Sequence, residues 1–517
     1  MTNLRPAFQL RPAPPENQVG PEASQQLGVS MPPLVIEDLP SPEEVFGARR
    51  IGPAEIVFMI LGPAMIALSL AVGSGEWVLG PMAVGQFGFK GIGFIIMLSI
   101  TLQTFYNIEL ARFTLATGET PVEAFGRVPP GALLWVPLAL TCFYGAFLLS
   151  GWAGSAGASL FALFMGRPHN PQELETVHLL AVLLLFLTFL FTLFGKRIER
   201  SMEISQGIVM VMVLISLLAV TLAVVPVSYW SHALGSLVTV ARPPRGSDVS
   251  LLGALAGFAG IGSGLNFMVT GYYRDKGYGM GHRTGFIPGL FGGKRVAMRS
   301  GRIFPETEHN SALWKRWFHY LLIDQWSIFF VGCILGMMLP CILVGYLSSL
   351  PGVTPPDRSN ILVFAALQLG QRYGPVLFAW ALLVGFALLY TTQICILETL
   401  TRCATDAILG TSAWARQHLG ADYRRLYYAW MLGLIILISI LIHIALPVDL
   451  IILSANLTNL AALIFPLAMI YLNRRLPRPA RIGWGPVVAL LANTLFFGFF
   501  FINFLFAKLT GSPLIRF

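Results

Sequence analysis

Eleven apolar runs, each about 20 residues or longer, leave this 517-residue chain very few ways to fold. They lie near 53–83, 91–117, 131–164, 177–195, 203–226, 249–273, 320–348, 374–400, 426–446, 449–473 and 484–508. A helix rises about 1.5 Å per residue, so about 20 apolar residues cross the hydrocarbon core of a bilayer. The runs are continuous and do not alternate with polar residues, which excludes a transmembrane β-barrel. Charged residues make up 11% of the chain and hydrophobic residues 55%, against about 25% charged in a soluble domain. Mean hydropathy is +0.71. A soluble enzyme, a disordered chain and a fibrous protein are all excluded. The sequence predicts an all-α polytopic protein of about eleven spans, with the lipid bilayer as its solvent.

The net charge of +9 is explained by topology, with no nucleic acid partner. If the N-terminus lies inside, 26 of the 34 Lys and Arg fall on inner segments and eight on outer ones. This bias predicts a multi-pass protein of the cell membrane, with a cytoplasmic N-terminus and an outer C-terminus. Residues 1–50 lack apolar periodicity and a cleavable hydrophobic core, and read as a disordered cytoplasmic tail. The segment 358–372 is too short to cross and is expected at the interface. The five cysteines show no CxxC spacing, so neither zinc nor disulfides are indicated, and no cofactor is expected. The inner loop 274–316 holds GYGMGHRTGF and GLFGGKRV. The second departs from a phosphate loop, with Pro288 for the first Gly and Arg295 for the Ser or Thr. A solvated basic loop beside anionic lipid is expected.

An internal echo locates the chemistry. The first span reads AVGSGEW over 71–77 and the sixth reads GIGSGLN over 260–266. Each sets Gly-Ser-Gly in the middle of an apolar run, where glycine weakens a helix and serine can satisfy freed backbone groups. Paired interruptions five spans apart match inverted five-helix repeats, whose broken helices build a substrate site at the membrane midplane. The halves would cover 51–230 and 245–475, with the eleventh span and C-terminus in 476–517. The candidate site comprises Gly73, Ser74, Gly75, Glu76, Gly262, Ser263, Gly264 and Asn266, with unwinding at 73–75 and 262–264. The competing reading is close helix packing, which GWAGSAGAS over 151–159 fits well.

Among ionisable groups in the spans, Glu76, Glu109, Glu398 and His443 stand out. Intramembrane carboxylates are functional candidates, here for proton coupling or cation binding. Glu109 precedes Arg112 by three residues and Glu398 precedes Arg402 by four, so both fit local ion pairs. His443 lies near an outer end and reads as a satisfied polar residue. Glu76 opens the second half-helix, where it either stabilises that helix end or holds a cation or proton. Asn266, Tyr390, Thr391, Gln393, Asn456 and Asn459 are neutral partners that serve either a site or helix contacts.

Gly62-Pro63, Glu76-Trp77, Gly85-Gln86-Phe87-Gly88, Ala111-Arg112, Thr117-Gly118, Lys196-Arg197-Ile198-Glu199 and Asn473-Arg474-Arg475-Leu476 together resemble the natural resistance-associated macrophage protein (Nramp) metal transporters. The resemblance runs over roughly 60–475. It implies the LeuT-type fold of five plus five helices, here with one extra C-terminal helix, and proton-coupled secondary transport of divalent metals such as manganese or iron. The departures fall on the metal site. Gly73-Ser74-Gly75-Glu76 stands where the family has Asp-Pro-Gly-Asn. Gly264-Leu265-Asn266-Phe267-Met268 stands where it has Met-Pro-His, with Met268 out of register.

Losing the thioether removes a soft ligand. An oxygen site of Glu76, Asn266, the carbonyls of residues 73 and 262 and water suits a hard cation. The leading expectation is therefore an Nramp-like, proton-coupled transporter of divalent cations with an altered site, in which Glu76 is the metal ligand. The alternative is a transporter of a small carboxylate-bearing solute such as an amino acid, cradled by backbone N–H groups at a half-helix end. No HExxH or nucleophile–base pair marks an enzyme.

Overall fold

The computed structural model describes residues 35–56, 62–149, 151–193, 198–284, 301–419 and 424–516. Ten helices among them are long and apolar enough to cross a membrane. In chain order they are span 1 (Pro63–Phe87), span 2 (Ile92–Thr117), span 3 (Ala132–Met165), span 4 (Pro171–Leu193) and span 5 (Ile204–Val224). After the sixth run come span 7 (Glu308–Ser348), span 8 (Pro375–Leu409), span 9 (Arg424–Leu441), span 10 (Pro447–Asn473) and span 11 (Trp484–Thr510). The sixth run is two short helices, Val249–Phe258 and Asn266–Lys276, separated by seven residues without helical structure. Counting these as span 6 gives the eleven expected from the apolar runs.

Local chemistry sets many of the ends. Pro63, Pro375 and Pro447 each sit at a first helical position, where a missing N–H costs nothing. Gly118 and Gly511 close spans 2 and 11 in the left-handed conformation. Asp248 caps the first half of span 6 by accepting from the Ser250 and Leu251 amides. The small residues of span 3 serve packing: a methyl on Gly151 would lie 2.2 Å from the Pro447 carbonyl oxygen of span 10.

Three expectations are corrected. The tail reading fails from Val35 onward. Val35–Ile36 forms a parallel pair with Arg302–Ile303, and Pro42–Phe46 is a helix capped by Ser41. This segment straps across span 7: the Asn310 side chain accepts from Leu39 N–H, Trp317 Nε1 donates to Pro40 O at 2.9 Å, and Arg316 pairs with Glu43 at 2.5 Å. Residues 1–34 lie outside the described residues. Second, span 7 begins at Glu308, twelve residues before the apolar run, because Asn310, Leu313, Trp314, Trp317 and Tyr320 bury one face of an amphipathic extension. Third, the start of the 274–316 loop is packed instead of solvated. Arg274, Asp275, Tyr278 and Met280 are buried, and Arg274 donates to Glu123 and Asp275. GLFGGKRV lies outside the described residues. The segment near 358–372 is a helix, Ile361–Tyr373, lying against span 8 and the second half of span 3.

Candidate functional site

Span 1 is interrupted at Val72–Gly73, just upstream of the expected 73–75, and resumes as a π-helical turn over Gly75–Leu79. In span 6 the backbone leaves the helix over 259–265, which contains the expected 262–264. The two interruptions touch. A methyl on Gly75 would fall 1.9 Å from the Phe258 carbonyl oxygen, at the end of the first half of span 6. A methyl on Gly73 would fall 2.1 Å from Thr392 Oγ1 of span 8. Glycine is therefore required here for close backbone approach as much as for unwinding.

Glu76 is the second residue of the π turn and is completely buried. The Gly73 N–H donates to its Oε2 at 3.0 Å, and the Gly260 amide of span 6 faces the same carboxylate. Its Oε1 has no hydrogen-bond partner, and no described residue forms an ion pair with it. A buried carboxylate lacking a basic neighbour either carries a proton or faces a cation, since a bare buried charge is too costly.

Around it the sequence-predicted residues divide. Ser74 accepts from Trp152 Nε1 at 2.8 Å, tying the break to span 3. Gln393 accepts from the Ala153 N–H at 3.1 Å, joining span 8 to the same stretch of span 3. Asn266 donates to Asn107 Oδ1 at 2.5 Å, while its own Oδ1 is unpartnered, as is Ser263 Oγ. Both carbonyls proposed as ligands serve short turns: Gly73 O accepts from Trp77 N–H and Gly262 O from Leu265 N–H.

Other candidates have structural employment. Asn456 donates to Ser250 O and Asn459 to Gly253 O, fastening span 10 to the first half of span 6. Tyr390 donates to Leu184 O in span 4, and Thr391 to carbonyls of its own helix. Glu109 is held bidentately by Arg112 and by Asn473. Glu398 accepts from Arg402 at 2.8 Å, Tyr272 at 2.7 Å and Tyr427 at 3.3 Å, and Arg402 also pairs with Asp275. The proximity of Glu109 and Glu398 to an arginine was readable from spacing, but the further partners were not. Met268 turns its sulfur to the Thr399 hydroxyl.

Two sets of residues were overlooked. Ser99, Gln103 and Asn107 recur every four residues on span 2 and run along the break in span 6. Ser99 donates to Ala256 O at 2.6 Å, Gln103 lies against Gly260, and Asn107 meets Asn266. Gln103 Oε1 and Asn107 Nδ2 are unpartnered. Polar residues at helical spacing in an apolar run were the available signal. The second is Asp324 in span 7, which accepts from the Gly62 and Ala64 amides at 3.2 and 3.0 Å and from Tyr273 Oη at 2.5 Å. It caps span 1 and holds the second half of span 6 with one side chain.

No family model matches the sequence, and no curated protein matches it. Solved structures do. A manganese transporter from Eremococcus coleocola, in complex with an aromatic bis-isothiourea substituted compound, matches with a TM-score of 0.56 at 15% identity over 93% of both chains. MhsT in complex with L-phenylalanine matches with a TM-score of 0.52 at 17% identity, over 84% of this chain and 98% of that one. At such identities the likeness concerns the fold. The chain is an all-α polytopic membrane protein built on the LeuT-type inverted repeat of five plus five helices, with an eleventh helix added.

Proposed function

We propose that the chain is a secondary transporter whose substrate, a hydrated divalent cation, binds between the breaks in spans 1 and 6 with Glu76 as its charged ligand. The observation that carries this reading is the buried Glu76 Oε1, which has no partner although its sister oxygen is fixed by the Gly73 amide. Gln103 Oε1, Ser263 Oγ and Asn266 Oδ1 add unpartnered neutral oxygens along the break. One carboxylate with neutral oxygens and water is a hard donor set of the kind that holds magnesium, calcium or manganese. Among the described residues no three His, Cys, Asp or Glu lie close enough to hold a metal. The ion therefore keeps part of its water, unlike the cargo of a closed thiolate or imidazole site.

Proton coupling follows from the same atom. When the cation leaves, a proton neutralises Glu76, and the next cation displaces it. The half-helices supply alternate access: backbone at 72–73 and 259–265 lets the outer and inner halves tilt about the site. The two repeats would be 51–230 and 245–475, with the strap and the start of span 7 on the inner side that the charge bias indicates.

A second reading has one observation in its favour. Phe147, Trp152 and Phe258 pack together beside Ser74, with ring centroids 5.6–6.3 Å apart. Such a wall suits an organic solute whose ammonium group meets Glu76 and whose carboxylate meets half-helix amides. The MhsT neighbour, named in complex with L-phenylalanine, belongs with this reading.

Proteoliposome uptake separates them. Purified protein is loaded against a panel of divalent cations and amino acids, with internal pH recorded. The expected result is cation uptake with proton movement, both abolished by Glu76→Gln and kept by Glu109→Gln. Amino-acid uptake that Glu76→Gln abolishes would select the second reading. Wild-type rates in Glu76→Gln would remove the site altogether.

A further inference from the structure

His443 is a lone polar residue in sequence, but the fold gives it a partner 265 positions away. It follows span 9 and is exposed, and its ring meets that of His178 in span 4 with centroids 4.4 Å apart and planes at 70°. His178 is 6% exposed, and its Nε2 is shielded from solvent with no hydrogen-bond partner. No hydrogen bond joins the two rings. A buried ring nitrogen left unsatisfied is costly, and an edge-to-face contact with a second imidazole does not relieve it. A shared metal ion would, because neutral imidazole offers a lone pair to late first-row metals.

We propose that His178 and His443 form a two-imidazole site for a tetragonal divalent transition ion of the copper(II) or nickel(II) class, separate from Glu76. The spacing favours this geometry. A metal about 2.0–2.1 Å from a ring nitrogen lies about 3.2 Å from that ring's centroid. Two centroids 4.4 Å apart then subtend roughly 90° at the metal. This is the cis angle of a square-planar or tetragonal ion and is narrower than the tetrahedral angle zinc prefers. Rotation of the rings about their Cβ–Cγ bonds would turn a nitrogen of each toward the shared ion.

Solvent fills the remaining positions, since no third ligand-type residue joins the pair closely among the described residues. Glu175 stands one turn before His178 on the same helix and is exposed. The site is therefore open and exchangeable. It sits where span 4 packs against span 9, so an ion there clamps those two helices together.

The test uses the full chain in detergent or nanodiscs with copper(II) alone as probe. Electron paramagnetic resonance should show two equatorial imidazole nitrogens on one bound ion, and thermal unfolding should shift upward with copper concentration. His443→Ala and His178→Ala should each weaken binding at least tenfold and leave one nitrogen or none. His443 is exposed, so its variant preserves packing and stands alone if His178→Ala does not fold. Glu76→Gln should keep the two-nitrogen copper signal. Unchanged binding in His443→Ala, a spectrum without paired nitrogens in the unmodified chain, or loss of the signal in Glu76→Gln would each overturn the proposal.

Discussion

Glu76 and the glycines around it show how much one residue can reveal. An acid beside a break in an apolar run is costly enough to mark itself. What its sequence position does not give is the company it keeps. Gly75 looked like part of an unwound segment, yet it lies in the π turn, and its lack of a side chain admits the Phe258 carbonyl. Sequence cannot distinguish a glycine that frees the backbone from one that makes room for another chain segment. The distinction predicts that Gly75→Ala disturbs the contact between spans 1 and 6, because the methyl would overlap a backbone atom that has no rotamer to escape into. Overpacking of this kind costs about 1–3 kcal/mol. Thermal unfolding should show the loss, whereas Gly235→Ala, in the helix Val227–Ser236 with nothing within 4 Å of the added carbon and no positive φ, should show none. Equal effects would mean that the two breaks do not press on each other as described.

At the scale of elements, the number of spans and the two interruptions were legible because apolar length and mid-span Gly-Ser-Gly are local signals. The bonds that hold the half-helices were not legible. Asp324 reaches amides about 260 positions earlier, and Asn107 meets an amide side chain 159 positions later. A polar residue in an apolar run announces that it needs a partner, but not which one. The start of span 7 was misplaced for a related reason: its first turns are polar on one face and buried on the other, so hydropathy alone stops short. Asp324 links three elements through both oxygens. Asp324→Asn keeps the shape but turns an NH2 group toward donors that need an acceptor. The expected cost is about 1–2 kcal/mol, the range of a lost helix cap with a buried group left unpaired. It should appear as a lower Tm in nanodiscs, together with faster labelling of a cysteine placed in the Pro63–Ala71 half-helix. A Tm equal to that of the unaltered chain would show that the cap does not hold this helix.

Across the whole molecule, the strap of residues 35–46 was hidden by its composition. Its Pro, Glu and Ser content matches that of a disordered tail, and its order comes from span 7 and the residues just before it, not from itself. One of its contacts is pH-dependent. The hydrogen bond from Arg316 holds the Glu43 carboxyl below its usual range. A carboxyl depressed in the folded state stabilises above its unfolded value, and that contribution is lost as pH falls through the folded value. Both partners are partly exposed, so the pair is worth no more than about 1 kcal/mol. Strap amides should therefore exchange faster with solvent as pH drops below the carboxylate range, after correction for intrinsic rates. Glu43→Gln should shrink that extra step, which the Glu37 and Glu44 ion pairs share, and show at neutral pH an acceleration of up to about fivefold. An identical pH response in the two proteins would assign the strap's hold to its other contacts.

The strap also decides how the molecule bears load. A pull on the N-terminal end meets the Pro40–Trp317 bond, the Leu39–Asn310 bond and the paired Val35–Ile36 before it reaches span 1. Tension is thus delivered first to Arg302–Ile303 and then to the start of span 7, and the first helix is shielded until the strap peels. Force spectroscopy from this end should record a short initial rupture, releasing about ten residues, ahead of any helix extraction. Arg316→Ala should lower that first force and leave the later ones unchanged. A first event that already extracts span 1 would mean the strap carries no load.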